Sequence, residues 1–182
     1  MRLETERLVL RRPRQEDADD FFEVWGDEGT TRFVSGPKTH AEVEAMIERM
    51  DAHWRRYGVG LFALERKDDG RALGRVGLLA WDLERWTNGM RAELEAPYEI
   101  EIGWTLGRES WGRGYATEGA AACRDWALGE LGLTRLISLI AYENVASIRV
   151  AEKIGERFER DGEGAPFAHR VGVWSLGERI GA

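Results

Sequence analysis

One stretch limits the folds open to this chain more than any other. Tyr98, Ile100, Ile102, Trp104 and Leu106 alternate with Glu99, Glu101, Gly103 and Thr105, the period of two that marks a strand. From about Tyr115 to Leu131 the spacing predicts a helix, with Gly132 at its left-handed stop position. Between them lies a glycine-rich elbow. A strand that turns through glycines into a helix N-terminus aims free backbone N–H groups and the positive dipole end at one point, and that arrangement binds phosphate. Gly112 and Gly114 let the backbone approach a ligand with no Cβ in the way. Many strand–helix turns also use glycine for geometry alone.

Two common nucleotide motifs do not fit. The dinucleotide fingerprint needs a third glycine where Thr117 stands, and the P-loop needs a Gly-Lys-Ser/Thr triplet that the sequence lacks. A third pattern fits. Trp111-Gly112-Arg113-Gly114-Tyr115-Ala116-Thr117-Glu118 resembles the acetyl-CoA pyrophosphate loop of the GNAT-superfamily N-acetyltransferases, above all the RimJ/RimL-like branch of ribosomal-protein N-terminal acetyltransferases. In the superfamily pattern Gln/Arg-x-x-Gly-x-Gly/Ala, Gly114 and Ala116 take the small positions, and Trp111 stands where Gln or Arg is usual. The resemblance implies that Trp111, Gly112, Arg113, Gly114, Tyr115, Ala116 and Thr117 bind the cofactor diphosphate. Arg108 and Arg113 flank it, each equally open to an ordinary surface role.

The 182 residues suffice for one domain with a sizeable core, and 43% hydrophobic with 32% charged residues describes a soluble protein. No apolar run approaches a membrane span, and the polar start Met1-Arg2-Leu3-Glu4 is unlike a signal peptide. A single cysteine, Cys123, excludes an internal disulfide and fits a reducing cytoplasm; in an alanine-rich helix it reads as a small core residue. The net charge of −7 argues against nucleic acid as a partner and is compatible with steering a cationic amine.

Along the chain, Leu8–Arg11 reads as a strand ended by Pro13, and residues 15–25 as an amphipathic helix. A loop at 26–38 precedes a capping box, Thr39-His40-Ala41-Glu42, which opens a helix with Val43, Met46, Ile47, Met50 and Trp54 on its apolar face. Residues 59–66 and 72–81 are strands around the turn Lys67-Asp68-Asp69-Gly70. Residues 82–97 form a long loop. After the central strand and helix come a strand at 135–141, a helix capped by Asn144 and stopped at Gly155, and a hairpin of 157–160 with 167–176. The expected fold class is α+β, with helices on both faces of one sheet. The order coincides with that of the GNAT fold, whose sheet is mostly antiparallel and splayed at its centre, and implies a single GNAT domain over residues 1–182.

A second motif, Asn144-Val145-Ala146-Ser147 through Lys153-Ile154-Gly155, resembles another signature of the RimJ/RimL-like branch. It implies that Asn144 holds the pantetheine arm and that Ser147 faces the thioester sulfur. Helix capping alone also accounts for Asn144 and Ser147. Many family members carry a tyrosine acid seven residues after this asparagine, where this chain has Ala151; Ser147 or a water then takes its place. Glu99 and Glu101 share one face of the central strand, where carboxylates are unexpected beneath a covering helix. Glu101 is the candidate base, directly or through a water, with Glu99 the alternative and a solvated sheet-edge glutamate the plain reading. By resemblance, main-chain groups of Trp104 and Leu106 pair with pantetheine, and Lys153 is a further candidate for the 3′-phosphate. His40, His53 and His169 show no metal-ligand spacing, so no metal is expected.

The expected function is transfer of an acetyl group from acetyl-CoA, as co-substrate, directly to a primary amine, either a protein N-terminus or a small molecule. The alternative is an acyl-CoA-binding sensor that has lost turnover. Both a monomer and a homodimer are compatible with the sequence.

Overall fold

The computed structural model describes residues 1–165 and 167–177; residues 166 and 178–182 lie outside the described residues. Among the described residues nine strands form one sheet: β1 (Arg2–Glu4), β2 (Leu8–Arg11), β3 (Leu61–Arg66), β4 (Ala72–Asp82), β5 (Thr87–Asn88), β6 (Glu99–Leu106), β7 (Leu136–Ala141), β8 (Arg157–Asp161) and β9 (Val171–Leu176). The order across the sheet is β1-β2-β3-β4-β6-β7-β9-β8, with β5 a short spur on β4. Every pairing is antiparallel except β6 with β7.

The described residues also form five α-helices: α1 (Ala18–Trp25), α2 (Glu28–Thr31), α3 (His40–Tyr57), α4 (Tyr115–Gly129) and α5 (Val145–Lys153). Thr39 and Glu42 form the expected capping box on α3, which ends at Gly58 with φ of 70°. The apolar stripe of α3 packs with Phe21 and Trp25 of α1 against Leu61, Ala63, Leu79 and Trp81 on one face of the sheet. On the other face, Ala120, Cys123, Trp126 and Ala127 of α4 pack on Leu64, Val76, Leu78 and Ile102. Central strands covered on both faces explain why Ala72–Trp81 is a near-continuous apolar run rather than a clean alternation.

The α+β fold with an open, mostly antiparallel sheet agrees with the expectation, and three short elements add to it. β1 and β5 have only three and two residues, below the length at which alternation is readable. α2 is a single turn inside the 26–38 loop, capped by Asp27, which accepts the Thr30 N–H at 2.7 Å. The helix expected to reach Leu131 ends at Gly129, although Gly132 does adopt φ of 65°. β9 begins at Val171 rather than Phe167.

Candidate active site

The sheet opens between β6 and β7. These parallel neighbours share one registered pair, Glu101 with Ile137. Beyond it the Ser138 hydroxyl donates to the Ile102 carbonyl at 2.7 Å, a side-chain bond standing in for a ladder. Leu78, opposite Ile102 in the register with β4, donates its own N–H away to Gly60. Ile102, Trp104 and Leu106 therefore aim their main-chain groups at the gap, since alternate residues of a strand share a side. The Leu106 carbonyl accepts the Trp111 indole N–H at 2.7 Å, a concrete role for the residue that departs from the superfamily pattern.

The elbow follows β6. Residues Arg108–Ser110 make one 3-10 turn, and Gly112 and Gly114 then adopt φ of 72° and 82°, where any other residue is strained. Among the described residues no side chain caps α4, and the Glu118 N–H donates to Gly114 O at 3.0 Å as the helix ladder begins. The start of α4 is fixed from behind. The Glu118 carboxylate accepts from Arg7 Nε at 2.7 Å and the Thr5 hydroxyl at 2.5 Å, while Arg7 Nη1 donates to Arg113 O at 3.0 Å. The Arg7 guanidinium also lies over the Tyr115 ring at 4.5 Å.

A cleft of about 530 Å³ lies against this elbow. Trp104, Leu106, Trp111, Gly112, Gly114, Tyr115, Ala116 and Thr117 line one side, and Asn144, Ser147 and Lys153 the other. Asn144 caps α5 by accepting the Ser147 N–H at 3.2 Å, which brings both residues to the cleft wall. Arg113 is exposed and does not line this cleft, and Arg108 pairs with Asp27 at 3.2 Å. Open N–H donors at an uncapped helix start, beside a groove running along the β6 edge where it parts from β7, fit a diphosphate with a long amide-bearing arm.

On the opposite face of the sheet a second cleft, of about 580 Å³, is walled by α3, the 32–38 segment, β5 with its flank and residues 167–171. A throat of about 100 Å³ adjoins both clefts, shares Phe33 and Val34 with each, and is lined by Glu101, Trp104, Asn144 and Ser147. Glu101 faces the second cleft and the throat; Ser147 faces the throat and the first cleft. Glu99, by contrast, pairs with Arg135 at 3.0 Å, and Arg135 also holds Glu159 at 2.7 Å.

Burial raises the Glu101 carboxyl to about 7, against the opposing pull of the Trp81 indole N–H, the Arg75 charge and the Leu139 N–H. Near neutrality such a group exchanges a proton readily in either direction. Behind it, Glu156 is fully buried, and neither of its carboxyl oxygens has a hydrogen-bond partner among the described residues. Burial pushes Glu156 up to about 8, and the Glu101 charge adds to the shift.

Four contributors escaped the sequence reading: Arg7, Ser138, Glu156 and Arg75. Arg75 left a signal, a lone charge inside the buried run Ala72–Trp81. The others left none, because each acts through a partner far away in sequence. Among the described residues no group of three His, Cys, Asp or Glu side chains is placed to hold a metal, and no helix is long and apolar enough to cross a membrane.

Comparison with known proteins agrees with this geometry. Residues 7–157 match the family model described as an acetyltransferase (GNAT) domain. The uncharacterized protein YkkB of Bacillus subtilis is 32% identical over 160 residues, covering 87% of each chain. An uncharacterized N-acetyltransferase, p20, of Bacillus licheniformis is 29% identical, over 88% of this chain and 83% of its own. RimL, a ribosomal-protein α-N-acetyltransferase solved with coenzyme A, superposes with a TM-score of 0.77 over 97% of this chain and 98% of its own. At 13% identity that likeness speaks for the fold alone. GNAT proteins use acetyl-CoA, and by the span of the family match this chain belongs to the GNAT acetyltransferase family and is an acetyltransferase.

Proposed function

We propose that this acetyltransferase passes the acetyl group of acetyl-CoA directly to a primary amine held in the second cleft. It works as one cytoplasmic domain of the RimJ/RimL-like branch. The observation that carries this reading is the throat: Glu101 and Ser147 reach the same small space from two different clefts. Acetyl-CoA supplies the activated acyl group. The backbone N–H groups of residues 112–117 hold its diphosphate, Trp104 and Leu106 line the path of the pantetheine arm, and Asn144 steadies that arm. Lys153 stands on the cleft wall as a partner for the 3′-phosphate.

Glu101 takes the proton that the ammonium must lose before it can attack, directly or through a water. A carboxyl raised to about 7 is ionised often enough at neutral pH to do this and basic enough to be effective. The amine nitrogen then forms its bond to the acyl carbon as the carbon–sulfur bond breaks. The Ser147 hydroxyl, or a water beside it, gives its proton to the departing thiolate and takes up the second proton that the nitrogen loses on becoming an amide, so that it ends protonated as it began. Glu99 is a poorer base, because its charge is already matched by Arg135.

The test is thiol release from acetyl-CoA by purified protein against a panel of N-terminal peptides and small amines, repeated with Glu101→Gln. Turnover that falls by about 10²–10⁴-fold in the variant supports the assignment. An unchanged kcat in the variant contradicts it.

A further inference from the structure

We propose that the acceptor is a small amine bearing an anionic group, a carboxylate or a phosphate, and that Arg75 recognises the anion. This rests on reading the second cleft as the acceptor site. The chain carries a net charge of −7, yet the cleft reverses it: Arg32, Lys38, Arg49, Arg75 and Arg91 line it, with Glu101 as the one carboxylate among the described residues. Among the described residues none of these cations forms an ion pair, whereas Arg11 holds both Asp17 at 2.6 Å and Glu65 at 2.5 Å. Arg135 likewise holds two carboxylates. A chain rich in acids has left its cleft cations unmatched.

Arg75 is the inner member of the set. It is half-buried, with its guanidinium 5.3 Å from the Trp25 ring, while Arg32, Arg49 and Arg91 are exposed at the mouth. Burial lowers its pKa to about 10, so it keeps its charge at neutral pH. Half-buried Lys38 is also lowered, first by burial and then by the charges of Arg49, Arg75 and Arg91, against the pull of Glu42. These cations repel one another, and an anion among them relieves that cost.

The backbone is built to aim Arg75 here. Ala63 of β3 opposes Arg75 and Glu65 opposes Ala72, so β4 carries an extra residue at this point. As a result Leu73 joins the α4-side core while Arg75, two residues on, lines the cleft on the other face. Gly74 makes the bulge possible: its φ is 143°, and a Cβ there would stand 2.1 Å from Thr105 O.

Arg75 lies opposite Thr105, and Glu101 sits four residues back along the same strand. Their Cα atoms are therefore roughly 13 Å apart along the strand, and both side chains shorten the gap. The Glu101 carboxyl leans toward Arg75, since a Cβ on Gly103 would stand 3.9 Å from its Oε1. An amine at Glu101 and an anion at Arg75 then belong to one small molecule, and a cleft of about 580 Å³ is of the size that holds one.

Matched pairs test the idea: amino acids against their carboxamides, and phosphoethanolamine against ethanolamine, by kcat/KM with acetyl-CoA saturating. At least one anionic member is expected to exceed its neutral partner by about tenfold or more, as for a charge-assisted pair. Arg75→Gln is expected to collapse that ratio toward one, with Arg75→Lys restoring part of it. Neutral or cationic amines that match or exceed every anionic partner overturn the proposal, and so does a preference for acidic N-terminal peptides over all single amines. If no amine turns over, the catalytic reading fails separately. The charge inference is then decided by inorganic phosphate titrated into the CoA-saturated protein. Stabilisation lost in Arg75→Gln supports it, and no stabilisation, or equal stabilisation of both proteins, refutes it.

Discussion

Ser138 and Ile102 are joined hydroxyl to carbonyl at 2.7 Å, at the point where β6 and β7 cease to pair as a ladder. The bond closes the sheet below the throat and leaves the strand edges above it open. Ser138 is buried, so Ser138→Ala strands the Ile102 carbonyl without a donor. The expected cost is about 1–3 kcal/mol in urea unfolding at constant m-value. A loss below experimental error shows that the opening is held by the packing of α4 and α5 instead.

With Glu101 as the proposed base, its carboxyl is expected to set the acid limb of the activity profile. With its carboxyl raised to about 7, the fraction in the basic form grows as pH rises, so kcat/KM is expected to climb to a break near 7. Titration of the substrate ammonium adds its own limb at higher pH. Glu101→Gln is expected to remove the break near 7 along with most of the rate. A break that survives in the variant assigns it to another group.

Glu156 makes stability fall with pH. Its folded carboxyl titrates near 8 and an unfolded glutamate near 4.5, so between those values the folded state holds a proton that the unfolded state has released. Stability contributed by that proton is full below about 4.5 and is lost as pH rises toward 8, by up to about 1.4 kcal/mol per pH unit. Glu156→Gln keeps the shape and drops the titration. Thermal unfolding from pH 5.5 to 8 is expected to show a shallower decline in the variant; parallel curves contradict the assignment.

In the proposed diphosphate loop, Gly114 is expected to tie backbone geometry to cofactor affinity. Its φ of 82° disfavours any Cβ, and one placed there would meet Arg7 Nη2 at 3.4 Å. Gly114→Ala is expected to cost about 1–2 kcal/mol of stability and to raise the KM for acetyl-CoA by about tenfold. A variant with unaltered KM shows that the elbow does not contact the coenzyme.

Much of this architecture is written locally in the sequence. The alternation of Tyr98–Leu106, the Thr39–Glu42 box and the Asn144 cap each depend on neighbours within a few residues, and each appears in the structure where expected. The placement of Asn144 and Ser147 against the elbow follows from the family order of elements. The cation lining of the second cleft was not legible, because Lys38, Arg49, Arg75 and Arg91 come from a loop, a helix, a strand and another loop and meet only in three dimensions. Net charge does not reveal it either: an acidic chain carries a basic cleft. The bulge that turns Arg75 inward depends on cross-strand register, which no single stretch encodes.

The most direct measurement is a crystal structure with coenzyme A bound. Diphosphate oxygens within about 2.7–3.2 Å of main-chain N–H groups in residues 112–117, with the sulfur in the throat between Glu101 and Ser147, are the expected result. Coenzyme A seated in the Arg75 cleft, or a diphosphate held by side chains alone, contradicts the account.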